Sequence, residues 1–480
     1  GDEKRRIEVK AFHEYVFELL SSLQCDTFLR SLAYFTGMSE EVEAFLVSTP
    51  HAHRTRMFKP LTEKVQMEAF AEFLNEPGNP AKAEFDRLEV FIYSQDQTVD
   101  LRRYLFEELE LVRSAFTCYE GYRGYCERVA PDSSELKYKR EGRSIGFQEN
   151  RRQAVLAILR EWERFQLRRG FLDLMGLAQA AVFAVEEAGG IPDKFRYRAV
   201  LVDEFQDFST LELSLLRQIP KYDENGLFLT GDFAQKIYAK NLNLPAAKLG
   251  REVRTDRIIR RNYRNSRQIL LAAQALLEAY PPQLAGGEDD ITPLKPEYAS
   301  SESAVPIASM ASDPIRAAWQ YAEEWLCGGH VPFSVCIASA NANLVSIESI
   351  LEHKPAAVEA DILTGDYLPK PSRVVVADIS AVKGFEFSLI ILCGLDDGVF
   401  PPRGVPAAEH WREALRLYVA ITRGRDEVRF IYRNVPSAFL TAMVEKIQFQ
   451  TWEAPPLPQP AVEPAVKLVE IGRASCRERV

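Results

Sequence analysis

Residues 199–209 read AVLVDEFQDFS. Four apolar residues run straight into Asp203 and Glu204, with Gln206 and Asp207 close behind. A short, unbroken apolar run is the pattern of a strand in a parallel sheet covered on both faces. Parallel sheets present their working groups at the carboxyl ends of the strands, and that is where the two acids fall. An Asp there can hold Mg²⁺, and a Glu beside it can take a proton from an attacking water. The plainer alternative is a solvated strand end whose acids favour the start of the next helix. The neighbouring sequence decides between them.

About 25 residues on, LFLTGDFAQKIY (227–238) repeats the design. An apolar run ends at Thr230, Gly231 permits a tight turn, and Asp232 and Gln235 follow on the loop. A neutral Gln amide can bridge a phosphate oxygen and a second group, which suits a sensor. Residues 251–267 then carry seven Arg, with Tyr263 and Arg264 just before a helix capped by Asn265 or Ser266. Arg suits bidentate phosphate contact and Tyr offers a face to a base. Further apolar runs, VCIAS (335–339), RVVVADI (373–379) and LIILCGL (389–395), alternate with helical stretches. The alternation indicates α/β architecture with parallel sheets. Lys383, Gly384 and Glu386 follow the second of these runs, and EALRLYVAITRG (413–424) sets Glu413, Arg416, Tyr418 and Arg423 along a helix. Arg416 and Arg423 are seven apart and so share a face; a buried Arg there needs an anion, either a structural carboxylate or a phosphate.

Upstream the texture differs. AFHEYVFELLSSL (11–23) has helical apolar spacing, residues 25–150 are helix-like and rich in aromatic and charged side chains, and 153–169 form a helix closed by Gly170. KYKREGRSIGFQENRR (137–152) has six basic residues against two acidic and includes Phe147, the makings of a strand-channel rim or of a basic surface loop. The 480 residues, 46% apolar and 27% charged, fit two or three globular domains, with no run long enough to span a membrane. Seven scattered cysteines without a CxxC read as reduced thiols. The net charge of −10 does not exclude a nucleic-acid partner, since binding follows local patches.

Taken in order, these stretches resemble the UvrD/Rep family of superfamily 1 DNA helicases. DEFQD resembles motif II, GDFAQKIY motif III, NYRN motif IV, KGFEF motif V and LRLYVAITRG motif VI; GFLDLMGLAQAA (170–181) resembles the segment ahead of motif II, and IEVKAFHEY (7–15) a segment resembling TFHS. The resemblance implies two RecA-like domains of the P-loop NTPase fold that close on ATP and Mg²⁺, driving 3′ to 5′ movement on single-stranded DNA. It implies that Asp203 coordinates Mg²⁺, Glu204 activates water and Gln235 senses the γ-phosphate. It places Tyr263 on the adenine, Glu386 on the ribose, Arg264 on the γ-phosphate and Arg423 as arginine finger. Asp232, Lys383 and Gly384 fall among the nucleotide-site residues, and Phe12, His13 and Tyr238 among DNA contacts. A cytoplasmic, nucleoid-associated setting follows, with single-stranded DNA or duplex junctions as partner.

The chain departs from the family pattern in three ways. It has no GxxGxGK-Ser/Thr stretch, since AGGIPDKF (188–195) lacks the glycine pattern, and the phosphate-gripping loop is expected upstream of Gly1. Motifs IV and V are only about 120 residues apart, which leaves no room for a large inserted domain. Motif III continues as AKNLNL where the family has an Arg-Gly-Ala turn. The expected division is an incomplete first RecA-like domain (1–24 and 151–250), a helical insertion (25–150) and a second RecA-like domain (251–453). A Pro-rich linker (454–469), beyond which a partner-binding domain could lie, and a tail EIGRASCRERV (470–480) that reads as a translated sequencing adapter complete the chain. On this reading the fragment is a helicase piece inactive by itself. The alternatives are a non-catalytic DNA-binding scaffold and the motor component of a helicase–nuclease complex.

Overall fold

The structure, a computed structural model, describes residues 7–23, 25–95, 100–127, 140, 143–222, 225–232, 235–236, 240–249, 261–282, 295–341, 345–363, 370–403 and 405–453. The linker, the tail and most of the arginine run ahead of Arg261 lie outside these residues.

From Phe12 to Glu187 helix follows helix. The longest, Glu149–Arg169, begins four residues before the expected start and ends where Gly170 turns left-handed at φ +71°. The next, Leu174–Glu187, is capped by Asp173, whose Oδ1 accepts the Gly176 N–H at 2.8 Å. Asp173 also grips the Arg113 guanidinium at 2.7 Å through both oxygens, and both side chains are buried. One apolar core runs from Tyr15 through Trp162 to Val202, Leu211 and Leu249, so these helices and the first strands pack as a single body.

Strands β1 (Val200–Val202) and β2 (Leu227–Leu229) pair in parallel. Val202 is buried, yet Leu201 is 76% exposed and Phe228 58%. The run AVLV is therefore covered on one face only among the described residues, not on both as its apolar continuity suggested.

A second body begins with β3 (Asn262–Ser266), paired in parallel with β4 (Ala299–Ser301). Of the two candidate caps, Ser266 serves the helix Arg267–Ala279, its Oγ accepting the Ile269 N–H at 3.4 Å. Asn265 instead donates its amide to the Thr422 and Gly424 carbonyls, at 2.8 and 2.6 Å. The main sheet contains β5 (Ile307–Met310), β6 (Val335–Ser339), β7 (Glu359–Ile362), β8 (Arg373–Asp378), β9 (Phe387–Cys393), β10 (Gly424–Tyr432) and β11 (Gln448–Thr451). Their order is β11-β5-β10-β9-β6-β8-β7, with every pairing parallel. All of β6 is buried, and alternate residues feed two apolar clusters on opposite faces: Cys336 and Ile390 on one, Ile337 and Ile391 on the other. That is the burial expected of a parallel sheet. The fold is α/β with parallel sheets and a large helical portion, as the alternation of runs predicts.

Candidate nucleotide site between the two bodies

Asp203 and Glu204 stand at the carboxyl end of β1. Asp203 Oδ1 accepts the Thr230 hydroxyl at 2.5 Å and the Glu204 N–H at 3.0 Å. Glu204 adopts φ +53°, a left-handed conformation uncommon outside glycine, and starts a single 3₁₀ turn, Phe205–Asp207. The buried Gln206 in that turn ties the two loops together. Its Nε2 donates to Glu204 Oε2, and its Oε1 accepts the Asp232 N–H at 3.0 Å. Gly231 is required because a Cβ there would lie 2.3 Å from Gln206 Oε1 and 2.6 Å from the Phe205 ring. Gln235 Nε2 in turn donates to Asp232 Oδ2 at 2.9 Å.

The second body meets this cluster directly. Arg423 Nη2 donates to Gln235 Oε1 at 2.6 Å, and its side chain is nearly fully buried. Burial, together with the positive charge of nearby Arg264, lowers the Arg423 pKa below that of an ordinary guanidinium. Lys383 Nζ reaches both Asp207 oxygens at 2.7 Å and the Gln235 carbonyl at 2.9 Å, and lies 3.7 Å from Glu204 Oε2. Burial raises the Asp207 carboxyl above its usual range, and the Lys383 charge opposes that rise. Gly384 takes φ +85° just after the lysine. Arg264 Nε pairs with Glu386 Oε1 at 2.5 Å, and Tyr263 is 73% exposed with the Arg261 guanidinium 5.1 Å from its ring.

Asp203, Glu204, Asp232, Gln235, Arg264, Lys383, Glu386 and Arg423 therefore come together: the first four from the loops after β1 and β2, Arg264 from within β3, Lys383 and Glu386 from the β8–β9 connection, and Arg423 from the turn that leads into β10. The donor set fits a Mg²⁺–nucleotide: a strand-end carboxylate is a hard oxygen ligand, and two neighbouring guanidiniums call for an anion between them.

Other expected residues lie elsewhere. Phe12 packs edge-on against Phe208 at 5.3 Å. His13 turns Nε2 inward, 3.7 Å from Glu212, and burial lowers its pKa to about 4, so the ring is neutral. Tyr238 is outside the described residues. Arg416 and Arg423 do not share one helix face: the helix His410–Ile421 ends before Arg423, and Arg416 bonds the Glu413 carboxylate at 2.7 Å and the Ser380 hydroxyl. The anion that Arg416 required is structural. In the described part of the basic stretch 137–152, Arg140, Arg143 and Phe147 are not open to a strand, while Arg151 and Arg152 are half-buried. Phe147 is buried under the Arg140 guanidinium at 3.8 Å, and Arg143 is buried among carboxylates. Gln206 and Asp207 have no evident task in the sequence alone; the only signal is their place just after the two acids.

Comparison with known proteins follows the same lines. Residues 4–241 match the model of the UvrD/REP helicase N-terminal domain. A "Probable DNA helicase II homolog" of Rickettsia felis is 28% identical over 129 residues, which is 23% of this chain and 19% of that protein. One of the subunits of an ATP-dependent helicase/nuclease of Lactobacillus acidophilus is 28% identical over 91 residues, 18% of this chain and 8% of that protein. The chain thus spans about a fifth or less of the curated relatives it matches. A solved C-terminal domain of a possible DNA helicase from Lactobacillus plantarum aligns at 13% identity with a TM-score of 0.29, over 39% of this chain and 98% of that one. With the ordered motifs and the matched N-terminal domain, the chain belongs to the UvrD/REP helicase family.

Proposed function

We propose that the chain is part of an ATP-driven motor that moves 3′ to 5′ on single-stranded DNA and separates strands at duplex junctions in DNA repair, recombination or replication. The observation that carries the reading is the contact across the cleft: Arg423 on Gln235 and Lys383 on Asp207, beside the Asp203–Glu204 pair. Asp203 would hold Mg²⁺, which would supply neutralisation of phosphate charge. Glu204 accepts the proton of the attacking water, and Gln206 fixes the carboxylate that does so. Gln235 senses the γ-phosphate, and Arg264 and Arg423 neutralise transition-state charge only when the two bodies are closed. Tyr263, exposed at the rim, stacks on the adenine, and Glu386 takes the ribose once released from Arg264. Phe12, His13 and Tyr238 contribute to the DNA path.

The sequence contains no GxxGxGK-Ser/Thr stretch, so residues 1–480 are expected to bind ATP weakly and not to hydrolyse it. Hydrolysis stimulated by single-stranded DNA at an ordinary helicase rate would overturn that expectation. The wider reading is tested by fluorescence anisotropy of 1–480 with a labelled oligo-dT: binding that weakens steeply with salt supports it, and no binding at low salt sinks it. A second reading, the motor component of a helicase–nuclease complex, is favoured only by the name of the Lactobacillus acidophilus relative.

A further inference from the structure

Away from the nucleotide residues, a dense set of ion pairs joins the helix Leu101–Ser114 and the segment around Arg143 to the helix His410–Ile421. Its centre is Glu107. Arg412 Nη1 reaches this carboxylate at 2.9 Å from the second body, while Arg103 at 3.0 Å and Arg143 at 3.1 Å reach it from the first. Beside it, Arg103 Nη2 lies 3.3 Å from Glu413, and Glu409 Oε1 accepts both the N–H and the hydroxyl of Ser144 at 2.8 Å. These groups border a cleft of roughly 210 Å³. Burial alone would favour neutral Glu107, yet Arg412, Arg143 and Arg103 hold its carboxyl well below the usual range, so it is ionised.

The helix that receives these contacts also serves the nucleotide site. Arg412 is in its first turn. Glu413 and Arg416 follow, and Arg416 bonds Ser380, three residues before Lys383. The helix stops at Ile421, Thr422 is its C-cap, and Arg423 comes next. A helix of 12 residues is a rod of about 18 Å, so clamping its first turn limits where its far end can lie.

We infer that Glu107 and Arg412 are positioning residues: the ion-pair girdle on the Leu101–Ser114 helix fixes the helix that delivers Arg423 and so sets how the nucleotide cleft closes. The inference rests on the proposed role of Arg423, but its test uses neither nucleotide nor DNA. Hydrogen exchange is followed in the whole 480-residue chain for wild type, Glu107→Gln, Arg412→Gln, Arg412→Lys and the double Gln variant. The expected result is exchange at least threefold faster in a peptide covering 417–425 for Arg412→Gln and Glu107→Gln, with β6 unchanged. Arg412→Lys restores most of the protection, and the double variant exceeds neither single one. Unchanged exchange at 417–425 in Arg412→Gln overturns the proposal, as does an equal rise in β6 or additive single effects. If Glu107→Gln fails to fold, the two Arg412 variants decide the question. A failed oligo-dT or ATPase experiment would leave this result standing, and the reverse also holds.

Discussion

The two bodies of the molecule bury different things. The first, around the helices from Phe12 to Glu187, encloses charge: Arg113 against Asp173, Glu163 under the Tyr122 hydroxyl at 2.8 Å, and Lys240 on Glu212 at 3.1 Å. The centre of the second encloses almost nothing but hydrocarbon and thiol, with Val, Ile, Leu and Cys on both faces of β6, β8 and β9. Of its buried charged residues, Asp396 accepts the backbone N–H groups of Arg433 and Asn434, while Glu409, Glu413 and Arg423 lie on the helix that faces the first body or just beyond its ends. Directional bonds fix the first body, and shape fixes the second. Substitutions should therefore differ in size and in pH dependence between the two.

The largest effect is expected for Asp173→Ala, which strands the Arg113 guanidinium and removes a helix cap and the partner of Trp162 Nε1. Breaking a buried pair costs about 3–5 kcal/mol, read as a lowered denaturant midpoint; a loss under about 1 kcal/mol would show that the pair is not holding the helices. Glu163→Gln should act oppositely. Burial pushes the Glu163 carboxyl up to about 7, against the opposing pull of Arg113. A carboxyl raised above its unfolded value gives stability that is intact below the unfolded pKa and lost as pH rises through the folded one. Glu163→Gln escapes that loss, gaining on the order of 2–3 kcal/mol at about pH 8 and little at about pH 4.5. Equal effects at both pH values would disprove the titration. In the second body Ile391→Val should cost about 1 kcal/mol, the same at either pH. The cluster around Ile391 contains no carboxylate, Lys, Arg or His among the described residues: it is aliphatic and aromatic side chains, Trp319, Tyr321 and Trp452 included, with the Cys393 thiol, which burial pushes up to about 12 and so keeps uncharged. The smallest change belongs to Leu201→Ser on the uncovered face of β1, within about 0.5 kcal/mol. A large loss there would mean that the face is covered in solution.

The second body is legible from sequence because its runs are long, β-branched and buried on both sides. VCIAS, RVVVADI and LIILCGL each form a strand. β10 is harder to read: it begins GRDEV, polar at the sheet's end, and turns apolar only later. The candidate nucleotide residues are legible by their order along the chain, since Asp203 and Gln235 each follow an apolar run. Helix periodicity misleads at Arg416 and Arg423, because the helix ends between them and a seven-residue spacing no longer means a shared face. The girdle cannot be read at all: Glu107 and Arg412 are 305 residues apart, and a lone Glu or Arg on an amphipathic helix carries no sign of its partner.

Gly231 shows how much can hang on an atom that is missing. The space a methyl group would need is filled by the Gln206 amide, which holds Glu204 on one side and the Asp232 backbone on the other. Any side chain at 231 must displace that amide and the neighbouring Phe205 ring, and a displaced amide gives up its bonds to Glu204 and to the Asp232 N–H. In a map of tolerated substitutions, position 231 would then look as intolerant as Glu204 itself while touching no ligand, and its intolerance would report the spacing between two loops rather than any chemistry of its own.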